Sequence, residues 1–223
     1  MKILVDNFLN HNVHVTITDH ESAVKYVHSF PPIHDISLEE VIERIIKLNE
    51  NIAGFWHDAK GLAPLNAANL LNKSRLDWQV SLSHCLKNVI EDTNEKNYDG
   101  RIIMGYANLG SLVEGTMKLF LSVWYNTYKD DVDAIRKKSK LQDPDGLELE
   151  PLRIFFLKKI WDADWDKWIN HIQYRRNAIH AYKDREIGTH ADLKEDIREY
   201  LKLLRYINFR LPYPDDIYVP REI

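Results

Sequence analysis

One cysteine in 223 residues, Cys85, leaves no disulfide framework within the chain and suits a reducing cytoplasm. No uninterrupted apolar run approaches the ~20 residues of a membrane span, so no membrane partner is expected. Near the N-terminus, Ile3-Leu4-Val5 is broken by Asp6 and is too short for a signal peptide. An excess of positive charge is missing as well. Against 34 Asp and Glu there are 30 Lys and Arg, a formal net charge of −4, which argues against a non-specific polyanion binder with a wholly basic surface. The chain has no Walker A loop, no Gly-x-Gly-x-x-Gly, no Gly-x-Ser-x-Gly elbow and no zinc spacing, so the enzyme classes built on them have no support. His11 and His14 share a His-x-x-His spacing, but on a strand they fall on opposite faces and no third ligand accompanies them. Neither a metal nor a cofactor is expected.

What is present describes a globular protein of one ordinary domain, with or without an extension: 44% hydrophobic and 29% charged residues. Residues 1–35 read as a β or irregular appendage, because Val13 to Thr18 alternates and is β-branched, and Lys2 to Val5 can pair with it. Residues 36–97 read as a helical extension. Ser37-Leu38-Glu39-Glu40 is a capping box opening a helix that Gly61 stops, and further helices are expected over Leu65 to Leu71 and Leu76 to Ile90. Asp92 to Gly100 has no period and reads as a loop. Residues 98–223 read as a helical bundle. Its longest helix runs from Ile102 to Tyr128 and carries Gly105, Gly110 and Gly115, which imply close approach of another helix. Glu114 is the sole acid there, either solvated or a partner for an arginine elsewhere. Arg136 to Lys140 is a second basic run, read as solvated loop charge. A last helix opens at Gly188-Thr189, with Asp192 three positions after the threonine, and Pro212 and Pro214 end it. The tail beyond them is ordered only if it docks.

The stretch Trp165 to Gly188 is unusual. Trp165, Trp168/Ile169 and Ile172 keep a helical apolar stripe, yet Arg175, Arg176, Asn177, His180 and Tyr182 are set into or beside its continuation. At about 100° per residue, Arg176 falls almost on the stripe, with Arg175 and His180 on opposite edges. Guanidinium groups beside a core-facing stripe are costly unless something charged meets them, and a phosphate suits a planar guanidinium well. From Lys167 to Arg185 there are five basic residues, at 167, 175, 176, 183 and 185, so the local charge is positive although the chain is acidic overall.

Arg175-x4-His180 resembles the Arg-x(4-6)-His motif of the HEPN superfamily, small all-helical proteins common in prokaryotic toxin, antiphage and CRISPR-linked systems. With Tyr182 it reads Arg-x4-His-x-Tyr, as in HEPN toxins paired with a nucleotidyltransferase antitoxin. The resemblance covers roughly the last half of the chain. It implies an all-α, HEPN-like bundle acting as a metal-independent endoribonuclease, in which the ribose 2′-OH attacks the adjacent phosphorus at a site shared by two copies. Arg175 and His180 would then be catalytic, with Arg176, Asn177, Tyr182 and Glu114 auxiliary or RNA-binding. RNA and a second copy of the chain are the expected partners, together with an antitoxin or nucleotidyltransferase acting at Tyr182. In this family the residue after the motif arginine is usually Asn. Here it is Arg176, with Asn177 next, so two registers stand open: Arg175 by family spacing, or Arg176 by the four-residue helical repeat. The alternative function is a catalytically inactive HEPN-like module that binds nucleic acid, a nucleotide or a partner protein.

Overall fold

A computed structural model describes residues 4–8, 11–15, 32–90, 95–180 and 184–223. Among these the fold is mainly helical, with eight α-helices: α1 (Leu38–Trp56), α2 (Leu65–Lys73), α3 (Leu76–His84), α4 (Tyr98–Val123), α5 (Tyr125–Asp130), α6 (Leu149–Lys159), α7 (Ala163–Arg176) and α8 (His190–Phe209). The appendage expected at the N-terminus includes an antiparallel hairpin, β1 (Leu4–Phe8) with β2 (His11–Val15), in which Leu4 lies opposite Val15 and Phe8 opposite His11. The rest of the expected strand, Thr16 to Thr18, lies outside the described residues. The basic run Arg136 to Lys140 makes a second, minimal hairpin, β3 (Arg136–Lys137) with β4 (Lys140–Leu141). Its two turn residues, Lys138 and Ser139, have φ of 50° and 64°, the pair of left-handed conformations that suits strand twist in a two-residue hairpin.

The helix starts follow from side-chain caps. Ser37 accepts from the Glu40 amide at α1, Asp162 accepts from the Asp164 and Trp165 amides at α7, and Thr189 with Asp192 forms a reciprocal capping box at α8. Two expected boundaries move. Helix α4 begins at Tyr98, inside the stretch read as a loop, and ends at Val123, with Trp124 (φ −90°, ψ 25°) separating it from short α5. The helix expected from Leu76 to Ile90 tightens to a 3-10 turn over Cys85–Val89.

Contacts fix the helix directions. Gly105 meets Leu193, Thr116 meets Tyr200 and Trp124 reaches Arg210, so α4 and α8 run the same way. Trp165 stacks on Tyr206, Trp168 bonds Asp196 and Arg175 reaches Asp192, so α7 runs opposite to α8, and hence to α4. The segment expected as a separate helical extension shares its core with the bundle: a single hydrophobic cluster extends from Ile33 to Leu211 and includes Val41, Ile45 and Trp56 of α1. The tail docks. Buried Glu222 accepts from Arg44 of α1 and Arg205 of α8, and Asn208 donates to the Pro220 carbonyl. No helix among the described residues is long and apolar enough to cross a membrane.

The three glycines of α4 have the reason their sequence positions imply. A Cβ would lie 2.4 Å from Leu193 at Gly105, 2.9 Å from the Arg176 Cβ at Gly110, and 2.1 Å from Gln79 at Gly115. They let α8, α7 and α3 approach α4 closely, and the middle one seats the arginine pair.

Candidate functional site

Helix α7 is held from outside by Arg153 of α6, which pairs with both oxygens of Asp166 at 2.6 and 2.7 Å. Its inner face buries Ile169, Ile172 and Arg175. The two arginines then diverge. Arg175 turns inward, leaving 8% of the residue exposed. Its guanidinium donates to the Tyr106 hydroxyl of α4 and to Asp192 Oδ2 at 3.4 Å, and it lies 3.7 Å from Asp196. Arg176 lies across Gly110 and donates to Glu114, whose other oxygen receives Lys118 at 2.7 Å.

Beneath Arg175 is a polar cluster centred on Asp196, which is buried. One oxygen accepts from Tyr106 at 2.7 Å and pairs with His171 Nε2 at 3.0 Å, while the other accepts from Trp168 Nε1 at 2.9 Å. Three helices therefore share one carboxylate, and each of its bonds satisfies a group that would be expensive to leave unpaired. Burial, then the bond to Asp196, pushes the Tyr106 hydroxyl well above its ordinary range, so it stays protonated and donates. Burial alone would lower the Arg175 guanidinium, but Tyr106 with the Asp192 and Asp196 charges outweighs it and holds the cation. The cap bonds from Thr189, followed by Arg175, keep Asp192 below the usual carboxylate range.

A glycine closes this cluster. Gly188 has φ +75°, and a Cβ there would lie 2.4 Å from the Arg175 Cζ. A side chain at 188 is excluded twice, by backbone conformation and by the guanidinium packed against it.

The expectation that an outside anion meets the arginines is corrected here. The chain supplies its own carboxylates: Asp192 and Asp196 for Arg175, Glu114 for Arg176. The projection that put Arg176 on the buried stripe is corrected as well, since Arg175 is the buried one. Past Arg176 the α-helix gives way to a 3-10 turn over Asn177–His180, so a projection at 100° per residue no longer applies. His180 is carried to the surface and has no hydrogen-bond partner among the described residues. Ile179, 43% exposed, and Tyr174, 47% exposed and stacked by Arg185 at 5.4 Å, form an apolar rim on the same end of α7. Asn177 is half-buried. Tyr182 lies outside the described residues.

Of the residues singled out from sequence, Arg176 and Glu114 are brought together, Arg175 is set apart in the interior, and His180 stands outside. Asp196, Tyr106, His171 and Trp168 were missed. The signal for Asp196 was available: it falls on the apolar stripe of α8, three after Leu193 and four before Tyr200, where an acid needs a buried partner. Among the described residues no group of three or more His, Cys, Asp or Glu side chains is placed to hold a metal ion. Comparison with family models, characterised proteins and solved structures finds no match to this chain.

Proposed function

We propose that this chain is a HEPN-type, metal-independent endoribonuclease of the toxin or antiphage kind, with Arg176 rather than Arg175 as the arginine that meets RNA. One observation carries the reading: the motif is divided between inside and outside. His180 is exposed and unpartnered among the described residues, and Arg176 keeps 30% of its side chain exposed while held by a single carboxylate, Glu114. Arg175 positions the motif from within.

The chemistry suits these groups. The ribose 2′-oxygen attacks the adjacent phosphorus, the P–O5′ bond breaks, and a 2′,3′-cyclic phosphate and a 5′-OH result. One proton leaves the 2′-OH and another reaches O5′. A histidine transfers protons near neutral pH, and a guanidinium offsets charge developing on the phosphate oxygens. His180 supplies one of the two transfers. A second copy meeting the Tyr174 and Ile179 rim would supply the other, which is the reason for proposing a homodimer. Asn177 is placed to assist, and Tyr182 remains the proposed point of control by a nucleotidyltransferase antitoxin.

A second reading is favoured by a specific observation. Arg175 is satisfied by Tyr106, Asp192 and Asp196, so it serves as a structural cation. If Arg176 is likewise bound permanently to Glu114, the module binds a partner without catalysis. Expression in a bacterial host separates the two. The ribonuclease reading expects slowed growth that His180→Ala relieves; equal growth of the two strains supports the binding module.

A further inference from the structure

A cavity of about 770 Å³ opens between the Cys85–Val89 turn, the first turns of α4 and the start of α8. That volume lies in the range of small-ligand sites, roughly 300–1,000 Å³. Leu82, Val89 and Met104 give it apolar walls, and Met104 presents a polarizable side chain that is 61% exposed. Asn108 and Ser111 bring polar atoms. Asn108 donates through Nδ2 to the Leu82 carbonyl at 3.0 Å, which fixes the amide orientation, and its Oδ1 is buried with no hydrogen-bond partner among the described residues. Ser111 donates to the Ala107 carbonyl at 2.8 Å, leaving its hydroxyl oxygen to accept. An apolar slot whose waiting groups are acceptors suits a flat ring that carries N–H donors.

The cavity also leads toward the motif. Met104, Ala107, Asn108 and Ser111 occupy one helical stripe of α4, and the next turn carries Glu114, the partner of Arg176. Arg101 and Lys194 add positive charge around His190 at the other end. We propose that this cavity is a subsite for a nucleobase, with the ring against Met104 and Val89 and an N–H donated to Asn108 Oδ1. The inference rests on the RNA reading above, and the same chemistry fits either a unit of an RNA strand or a free nucleotide.

Cys85 lines the cavity and is the chain's single cysteine, so its alkylation reports occupancy at one place. The full-length protein is alkylated with iodoacetamide alone, with each of the four nucleoside monophosphates, and with a pentaribonucleotide. Slowing by the oligomer alone assigns the site to an RNA strand; slowing by a monophosphate assigns it to the nucleotide itself; both outcomes support the subsite. Gly100 lines the cavity, and a Cβ there meets nothing within 4 Å, so Gly100→Leu fills the space without a clash. That variant should lose the protection, and Asn108→Leu should weaken it roughly 10-fold, the effect of one lost buried hydrogen bond. Each variant is compared with its own rate without ligand. No protection of the wild type by any probe, or equal protection of Gly100→Leu, overturns the proposal. Absence of RNA cleavage does not, because protection is measured without turnover; in that case the ribonuclease reading falls and the subsite stands.

Discussion

Arg175 donates to the hydroxyl of Tyr106, and Tyr106 passes the interaction on by donating to Asp196 at 2.7 Å. This relay ties α7 to α4 and α8 through groups that have left water, so its parts are interdependent. Removing one partner of a buried ion pair costs about 3–5 kcal/mol, because the other charge is stranded. Arg175→Ala and Asp196→Ala should each destabilise the fold by that order. The double variant should cost clearly less than the sum, since the residues share one network. Urea unfolding of the three variants measures this, and additive losses would remove the coupling.

Gly110 gives a test of helix approach. Glycine to alanine inside a helix ordinarily gains up to about 1 kcal/mol. At Gly110 the new methyl would lie 2.9 Å from the Cβ of Arg176, which cannot retreat without moving the α7 backbone. Gly110→Ala should therefore lose about 1–3 kcal/mol, the usual range for overpacking. Gly54→Ala, with nothing within 4 Å, should gain a fraction of that instead. Thermal melts of the two variants decide it by sign.

His190 sets a pH dependence. Burial first, then Lys194 and Arg101, lowers its pKa from 6.5 in the folded protein. As pH falls through about 6.5 the unfolded chain takes up a proton that the folded chain resists, so stability present above that pH declines below it. His190→Gln should flatten the curve of unfolding free energy between about pH 7 and 5 relative to wild type. Parallel curves would exclude His190 as the source.

Glu222 anchors the tail. Its side chain is 1% exposed and receives Arg44 and Arg205. Glu222→Ala should cost about 3 kcal/mol by leaving two arginines short of their acid, and should speed proteolysis after Arg221. Unchanged protease sensitivity would show that the apolar contacts of the tail suffice.

Much of this was legible in the sequence because it is local. The Thr189–Asp192 box, the Asp162 cap, the glycines at helix contacts and the apolar faces of α1 and α8 each follow from spacing alone. The arginine pair was visible as an anomaly, but its resolution was not. Which arginine is buried depends on Tyr106 and Asp196, 69 residues before Arg175 and 90 residues after Tyr106 respectively, and on a change from α to 3-10 geometry at Asn177. Tyr106 reads as an ordinary apolar stripe residue until its hydroxyl finds the carboxylate. The cavity beside α4 was illegible for the same reason, since its walls come from three separated segments.

The proposed chemistry meets its most direct test in an end-labelled RNA incubated with the purified protein in EDTA, the product termini being read by sensitivity to phosphatase and kinase. Wild type should leave a 2′,3′-cyclic phosphate and a 5′-OH, and His180→Ala should leave the RNA intact. Arg176→Ala should lose roughly 10²-fold or more in rate while keeping its stability, by analogy with removal of one charge-stabilising donor. Arg175→Ala should lose stability first. Arg176→Lys should recover only part of the rate, because the planar fork is gone. Intact RNA with the wild type, cleavage that EDTA abolishes, or His180→Ala cutting as fast as wild type would contradict the account.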